Sequence, residues 1–288
     1  MGASLLITQA MHGVVYGMLL FLVSAGLTLV FGMMGVLNIA HTAFYMLGAY
    51  LAFSVAVWTG SFWLALLVVP ICVGLVGAVV ERFFLRKVHV HGHGYELMLT
   101  YGIFFALGEV VKMIWGTFPL AVRVPDILAG SIPFFGNAYP VYRLFILFIS
   151  LLVLAGLALL LMRTRIGIII RGAVFDAEMV DILGQNVPLV FLGVFSIGSA
   201  LAGLAGVAAA PFLTTYPGMG LDIMIDCFVV IVIGGLGSLG GALLASLMIG
   251  ELQSFGVVFI PDLALVLEFL LMVFILAVRP QGLFGEKG

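Results

Sequence analysis

Apolar residues run through this chain in blocks long enough to cross a bilayer. The first charged residue is Glu81, and the eighty positions before it hold room for three spans at about 20 residues each. Apolar runs ending in turn chemistry predict spans near 8–31, 36–58, 61–81, 95–115, 141–162, 190–211 and 263–278. The breaks are Gly32-Met33-Met34-Gly35, Thr59-Gly60-Ser61, Pro119, Pro133, Pro140, and Pro211 to Pro217-Gly218. A further apolar stretch, 223–260, also belongs in the membrane, but Gly234-Gly235-Leu236-Gly237-Ser238-Leu239-Gly240-Gly241 interrupts it. The expected fold is all-α: a polytopic transmembrane helix bundle of about eight spans, one domain over 1–288, with 223–260 broken or re-entrant.

Composition makes lipid the main solvent. Of 288 residues, 64% are hydrophobic and 8% charged, against about 25% charged in a soluble domain. A net charge of −2 leaves no basic field to hold nucleic acid. Cys72 and Cys227 both sit in apolar runs, which reads as buried inert thiols rather than a disulfide or a metal pair. The start, Met1-Gly2-Ala3-Ser4, has no basic n-region, and its apolar run does not stop after a short h-region, so no cleavable signal is expected.

The cations give the topology. Lys and Arg cluster at Arg82/Arg86/Lys87, at Arg163/Arg165/Arg171, and at Arg279 with Lys287; short loops rich in them face the cytoplasm. The 116–140 loop carries only Arg123 and 212–222 carries no Lys or Arg, so both should face outward. The last span then runs inward, and 223–260 has to begin and end outside. A broken pair or a re-entrant half-helix does that. Non-helical backbone at membrane depth survives only where protein or water satisfies it. The run containing Gly234, Gly235, Gly237 and Ser238 is therefore expected either at the pore wall or in a tight turn or close helix crossing. Parity places the N-terminus outside, unless a half-helix around Gly32–His41 reverses it.

Polar and small residues add detail. Ser199, Gly203 and Val207 repeat at a four-residue step, as do Ala202, Gly206 and Ala210, which predicts a central helix closely approached on several sides. Asn38, His41, Thr42 and Tyr45 fall at helical spacing in the second span, where a pore-lining role competes with a plain interhelical hydrogen bond. Thr100 joins them as a pore candidate. Glu109 and Lys112 are three apart and should pair at the outer end of the fourth span. Glu251 is expected at the outer interface or facing a wet cavity, and Glu268 against a partner subunit. Asp222 and Asp226, just outside their span, read as helix N-terminal acids or as receivers of a delivery protein's basic residues. His89, His91 and His93 read as a solvated loop rather than a metal site.

The most informative segment is the cytoplasmic loop at 163–188. Within it Phe175, Met179, Ile182 and Leu183 follow the i, i+4, i+7, i+8 rule, while Glu178, Asp181 and Gln185 line another face. This predicts one amphipathic helix of about three turns within 171–186, closed by Gly184. A helix lying on lipid would carry Lys or Arg on its polar face. An acidic face beside an apolar ridge better suits a protein groove lined with basic residues.

The run from Arg171 through Asp176 to Asn186 resembles the coupling loop of ABC importer permeases, and more narrowly the branched-chain amino-acid permease family of the LivH type. Other matching stretches are Gly26-Leu27-Thr28-Leu29-Val30-Phe31-Gly32, Val36-Leu37-Asn38-Ile39-Ala40-His41, Phe44-Tyr45-Met46-Leu47-Gly48-Ala49-Tyr50, Leu99-Thr100-Tyr101-Gly102, the glycine run through Ala242, and Arg279-Pro280-Gln281-Gly282-Leu283-Phe284. They cover most of the chain in the expected order. Thr42 stands after His41 where the family often has glycine; Ile168-Ile169-Ile170 replaces a more charged stretch; and Glu109 and Lys112 are unusual.

The resemblance implies a subunit of an ATP-driven importer in a bacterial inner membrane, for branched-chain or other apolar amino acids or a related small solute such as urea or an amide. A second permease (a related chain, or less commonly a copy), two ATPase subunits and an extracytoplasmic binding protein are its implied partners, beside membrane lipid. Arg171, Phe175, Asp176, Glu178, Met179, Asp181, Ile182, Leu183 and Gly184 would meet the ATPase. None of the lysines, Lys87, Lys112 and Lys287, sits in G-x-x-x-x-G-K-[ST], so ATP and Mg²⁺ are expected on partner chains and no cofactor on this one. The alternative is a stand-alone secondary transporter or channel, which should show acids arranged for ion coupling, often in repeated halves. An enzyme is not expected, since the chain has no H-E-x-x-H or comparable constellation.

Overall fold

The computed structural model describes residues 3–35, 37–134 and 137–285; Met1, Gly2, Val36 and Lys287 of the readings above lie outside them. Among the described residues, eleven helices of six residues or more run in order: α1 Ala3–Met34, α2 His41–Thr59, α3 Phe62–Val80, α4 His93–Trp115, α5 Val141–Arg163, α6 Arg165–Phe175, α7 Ala177–Ile182, α8 Val187–Ala209, α9 Met219–Gly234, α10 Leu239–Phe259 and α11 Ala264–Val278. Seven helical stretches are long and apolar enough to cross a membrane; α9 and α11 are shorter apolar helices. The polytopic bundle is as expected.

Two helices organise the packing. α1 is buried through Leu19–Val23 and again at Val30. It lies against α10, and a Cβ built on Gly17 would stand 2.9 Å from Leu247 Cα. α8 touches α1, α2 and α3 together: Gly26 faces Gly198, Gly48 faces Gly203, and Gly77 faces Ser199. The four-residue repeat of small residues is what lets three neighbours approach one helix, since apolar side chains gain little by leaving lipid. The outward faces of α3, α4 and α5 expose Leu67, Met98, Met113 and Phe148, as lipid-facing surfaces should. Cys227 is buried as expected, but Cys72 is exposed on that outer face of α3, because its run is apolar for lipid rather than for a protein core.

Topology follows. Asn137 Nδ2 donates to Thr8 Oγ1 (2.9 Å) and Tyr139 Oη to Met11 O (3.2 Å), which places the start of α1 at the end that carries the 116–140 loop. The start of α1 and the 116–140 loop thus share one end, as the parity reading requires. That loop also holds an unforeseen two-stranded antiparallel hairpin, β1 Ser131–Phe134 with β2 Asn137–Pro140. A second tie joins the outer loops, with Leu120 N to Thr215 O at 2.8 Å and the reverse bond at 3.0 Å.

Several expectations are corrected. The second span does not begin at 36: the described residues between Gly35 and Ala40 are non-helical, and α2 starts at His41. His41 Nε2 lies 2.9 Å from Val23 O, about 16 Å back up α1 from Met34 at 1.5 Å per residue. The chain thus re-enters the bundle as irregular backbone before α2. The stretch 223–260, by contrast, is the broken pair that was expected: two helices, α9 and α10, interrupted at Gly235–Ser238. Glu268, expected against a partner subunit, is 3% exposed within this chain and accepts from Gln253 Nε2 at 2.9 Å. Asp226 sits a full turn inside α9 beyond Asp222 and accepts from Tyr16 Oη at 2.8 Å. His89, His91 and His93 are exposed, as expected of a solvated loop, and His89 and His93 bond the fully buried Glu96.

Candidate functional site

The loop at 163–188 folds as two helices rather than one. Thr164 caps α6, accepting from Gly167 N at 3.0 Å. Asp176 then breaks the helix at φ −156°, ψ 96°, and caps α7 by accepting from Met179 N at 2.9 Å. A carboxylate at an N-cap satisfies an amide the helix leaves free and suits the positive end of its dipole. The continuous periodicity from Phe175 to Leu183 is therefore interrupted, because Asp176 forms a cap more readily than a helix interior. Gly184 ends α7 at φ +82°, and Gln185 N reaches back to Val180 O at 3.2 Å, the 6→1 bond of a Schellman end.

The bundle holds this pair of helices by one side. Ile170 and Ala173 on α6 and Val180 on α7 are buried. The other side stands clear: Phe175 is 93% exposed, and Met179, Ile182 and Leu183 are exposed beside it. Arg171, Asp176, Glu178, Asp181 and Gly184 are exposed as well. The predicted residues thus do share one surface, an apolar ridge with acids around it, although two helices build it.

Behind that ridge lies a groove of about 700 Å³ lined by Arg171, Phe175, Leu161, Gly237, Ser238 and Phe284. It brings the glycine run to the inner end of the molecule. Gly234, Gly235, Gly237 and Ser238 make the turn from α9 to α10, and Ser238 caps α10 through Gly241 N at 3.1 Å. Gly235 and Gly237 need positive φ, +95° and +80°, and a Cβ on Gly237 would meet Gly32 Cα at 2.8 Å. The C-terminal tail then adds two backbone bonds, Leu283 N to Ile233 O at 2.8 Å and Phe284 N to Gly234 O at 3.1 Å. The run thus forms a tight turn, and Gly237 and Ser238 also line the groove.

The remaining pore candidates surround the re-entrant segment. Ile39 N donates to Thr100 Oγ1 at 3.4 Å, and Thr42 Oγ1 to Ile39 O at 3.5 Å. Asn38 is 1% exposed, and neither atom of its amide has a hydrogen-bond partner among the described residues; His41 Nδ1 and Thr28 Oγ1 share that condition. Each such group costs about 1–3 kcal/mol if left dry. Polar irregular backbone at membrane depth belongs beside water or protein. Tyr45, one turn beyond His41, faces a different cavity in the outer half. Sequence reasoning missed Tyr16 and Gln253; a tyrosine and an amide inside apolar runs were the available signal.

The branched-chain amino acid transport system permease component family matches residues 9–276. The chain is 29% identical to the high-affinity branched-chain amino acid transport system permease protein BraD of Pseudomonas aeruginosa, over 96% of this chain and 95% of that one. It is 27% identical to the corresponding protein LivH of Escherichia coli K12 over the same shares. It is 26% identical to a probable branched-chain amino acid transport permease protein LivH of Methanocaldococcus jannaschii, over 94% and 90%. No solved structure matches the chain.

Proposed function

Since this chain belongs to the branched-chain amino acid transport permease family, we propose that it is one membrane-spanning half of an ATP-driven importer for branched-chain or other apolar amino acids. In this proposal a second, related permease completes the pore in a bacterial inner membrane. An extracytoplasmic binding protein delivers the solute to the face that carries the β-hairpin. Two ATPase subunits bind the opposite face, and ATP and Mg²⁺ stay on them.

One observation carries the reading: the exposed ridge of Phe175, Met179, Ile182 and Leu183, ringed by Glu178 and Asp181. Work done by ATP outside the bilayer reaches the spans only through a rigid contact. Both helices beneath the ridge are capped and are fastened to the bundle through Ile170, Ala173 and Val180, so a force on Phe175 is passed on rather than absorbed. An acidic surround with an apolar centre fits a groove with basic residues at its rim. The orphaned polar groups of Asn38, His41 and Thr28 support a solute path through the bundle nearby.

The test is isolation and reconstitution. Tagged chain, expressed with its neighbouring subunits, should copurify with two ATPase subunits and give ATP-dependent leucine uptake in liposomes. Solitary, ion-driven uptake by the chain alone would replace this reading with a secondary transporter.

A further inference from the structure

A cavity of about 700 Å³ lies in the outer half of the bundle, between α1, α2, α9, α10, α11 and the 211–218 loop. Three carboxyl groups line it: Asp222 and Asp226, one turn apart on α9, and Glu268 on α11. No Lys, Arg or His is among the lining residues. Each acid is held by a neutral donor instead. Tyr16 Oη donates to Asp226 at 2.8 Å, Gln253 Nε2 to Glu268 at 2.9 Å, and Tyr216 Oη to Asp222. Neutral donors fix the direction of a carboxylate without cancelling its charge. Asp226 sits about 10 Å down α9 from Met219, and Glu268 is 3% exposed. Acids at such places are costly and mark a functional site when no cation of the protein answers them.

A second observation points into the same space. Tyr45 lines the cavity, is only 1% exposed, and its hydroxyl makes no hydrogen bond among the described residues. Asp226, Cys227 and Tyr216 are the ionisable groups around it. Leu213, Met219, Ile223 and Phe269 complete the lining as an apolar wall. The volume suits a small organic solute.

We propose that this cavity is a solute site on the permease itself, in which Asp222, Asp226 and Glu268 receive an ammonium group and the apolar wall receives a short hydrocarbon side chain. The assignment rests on the transport reading above and names the chemistry that the pathway recognises. An ammonium carries three N–H donors, and charge-assisted bonds to carboxylates are its strongest partners. A lysine or arginine in the same place would fill the acids permanently; tyrosine and glutamine leave them free for a cation that must enter and leave. Tyr216 lies in the loop, and its hydroxyl is pushed up to about 12, chiefly by its bond to Asp222. It therefore stays a donor at physiological pH. The tie between Leu120 and Thr215 holds that side of the rim in place.

The test uses the assembled transporter without its binding protein, in detergent. Dicyclohexylcarbodiimide labelling of Asp226 is followed by mass spectrometry. Millimolar leucine or 3-methylbutylamine should slow labelling about tenfold, as expected for a site filled to about 90%, whereas 4-methylpentanoate, which lacks the amine, should not. In Glu268→Gln, checked for intact assembly, Asp226 should still label, with leucine protecting it less. Equal protection by 4-methylpentanoate, or protection by sodium ions alone, overturns the proposal. ATP-driven leucine uptake by the same complex tests the transport reading separately. Uptake without protection removes this site; protection without uptake keeps an amine site and removes the importer.

Discussion

Gly48 of α2 and Gly203 of α8 meet backbone to backbone, and a Cβ built on Gly48 would stand 2.7 Å from Gly203 Cα. The contact closes the middle of the bundle, so its tolerance is a direct measure of how tightly these helices are joined. Gly48→Val should destabilise the protein by about 1–3 kcal/mol or more, the cost of overpacking. Gly102 is the control, since a Cβ there meets nothing within 4 Å. Gly102→Ala should be neutral or stabilising by up to about 1 kcal/mol through helix propensity. Thermal melting in detergent of both variants checks the pair.

Phe175 is 93% exposed, so Phe175→Asp should leave the melting temperature unchanged. Burial of a phenylalanine side chain is worth about 1.5–3 kcal/mol, which is roughly a 10- to 100-fold loss of ATPase affinity. Pull-down of the ATPase and leucine uptake should both fall. Uptake at the parental rate would refute docking at this ridge.

Asp176 acts one step removed. Asp176→Ala removes the cap on α7 at a cost of about 0.5–2 kcal/mol. Amide hydrogen exchange over 177–182 should quicken, with the spans unaffected, and ATPase binding should weaken less than in Phe175→Asp. Asp176→Asn, which still caps, should restore most of the protection.

Asn38 offers the opposite trade. Its amide is buried without partners among the described residues, so Asn38→Leu should leave stability equal or raise it by about 1–3 kcal/mol. Solute uptake should fall if this segment borders the wet path. A less stable protein with normal uptake would place Asn38 in a purely structural role.

The spans were legible because hydrophobic length is the strongest constraint lipid imposes, and the cations near Arg82, Arg163 and Arg279 oriented them. The stripe on α8 was legible for a similar reason: Ser199, Gly203 and Gly206 have no other use in an apolar helix than close approach. What stayed hidden depended on partners far along the chain. Nothing near His41 says that it bonds Val23 rather than beginning a full span at 36. Nothing near Glu268 names Gln253. Asp176 could sit inside a helix or cap the next one by composition alone, and only the turn of the backbone decides. Likewise Asp226 looked like a helix-start acid because a span boundary is read from hydropathy, which is blind to Tyr16 across the bundle.

The two backbone bonds from Leu283 and Phe284 to Ile233 and Gly234 make the 279–285 segment a splint across the α9–α10 bend. Phe284 also borders the groove behind Phe175. In the proposed assembly a motor docked at Phe175 would press beside this splint, at the inner end of the helix that carries Asp226. The tail is in this sense a rudder pin, and a cut after Val278 should leave a transporter whose motor turns without steering its cargo site.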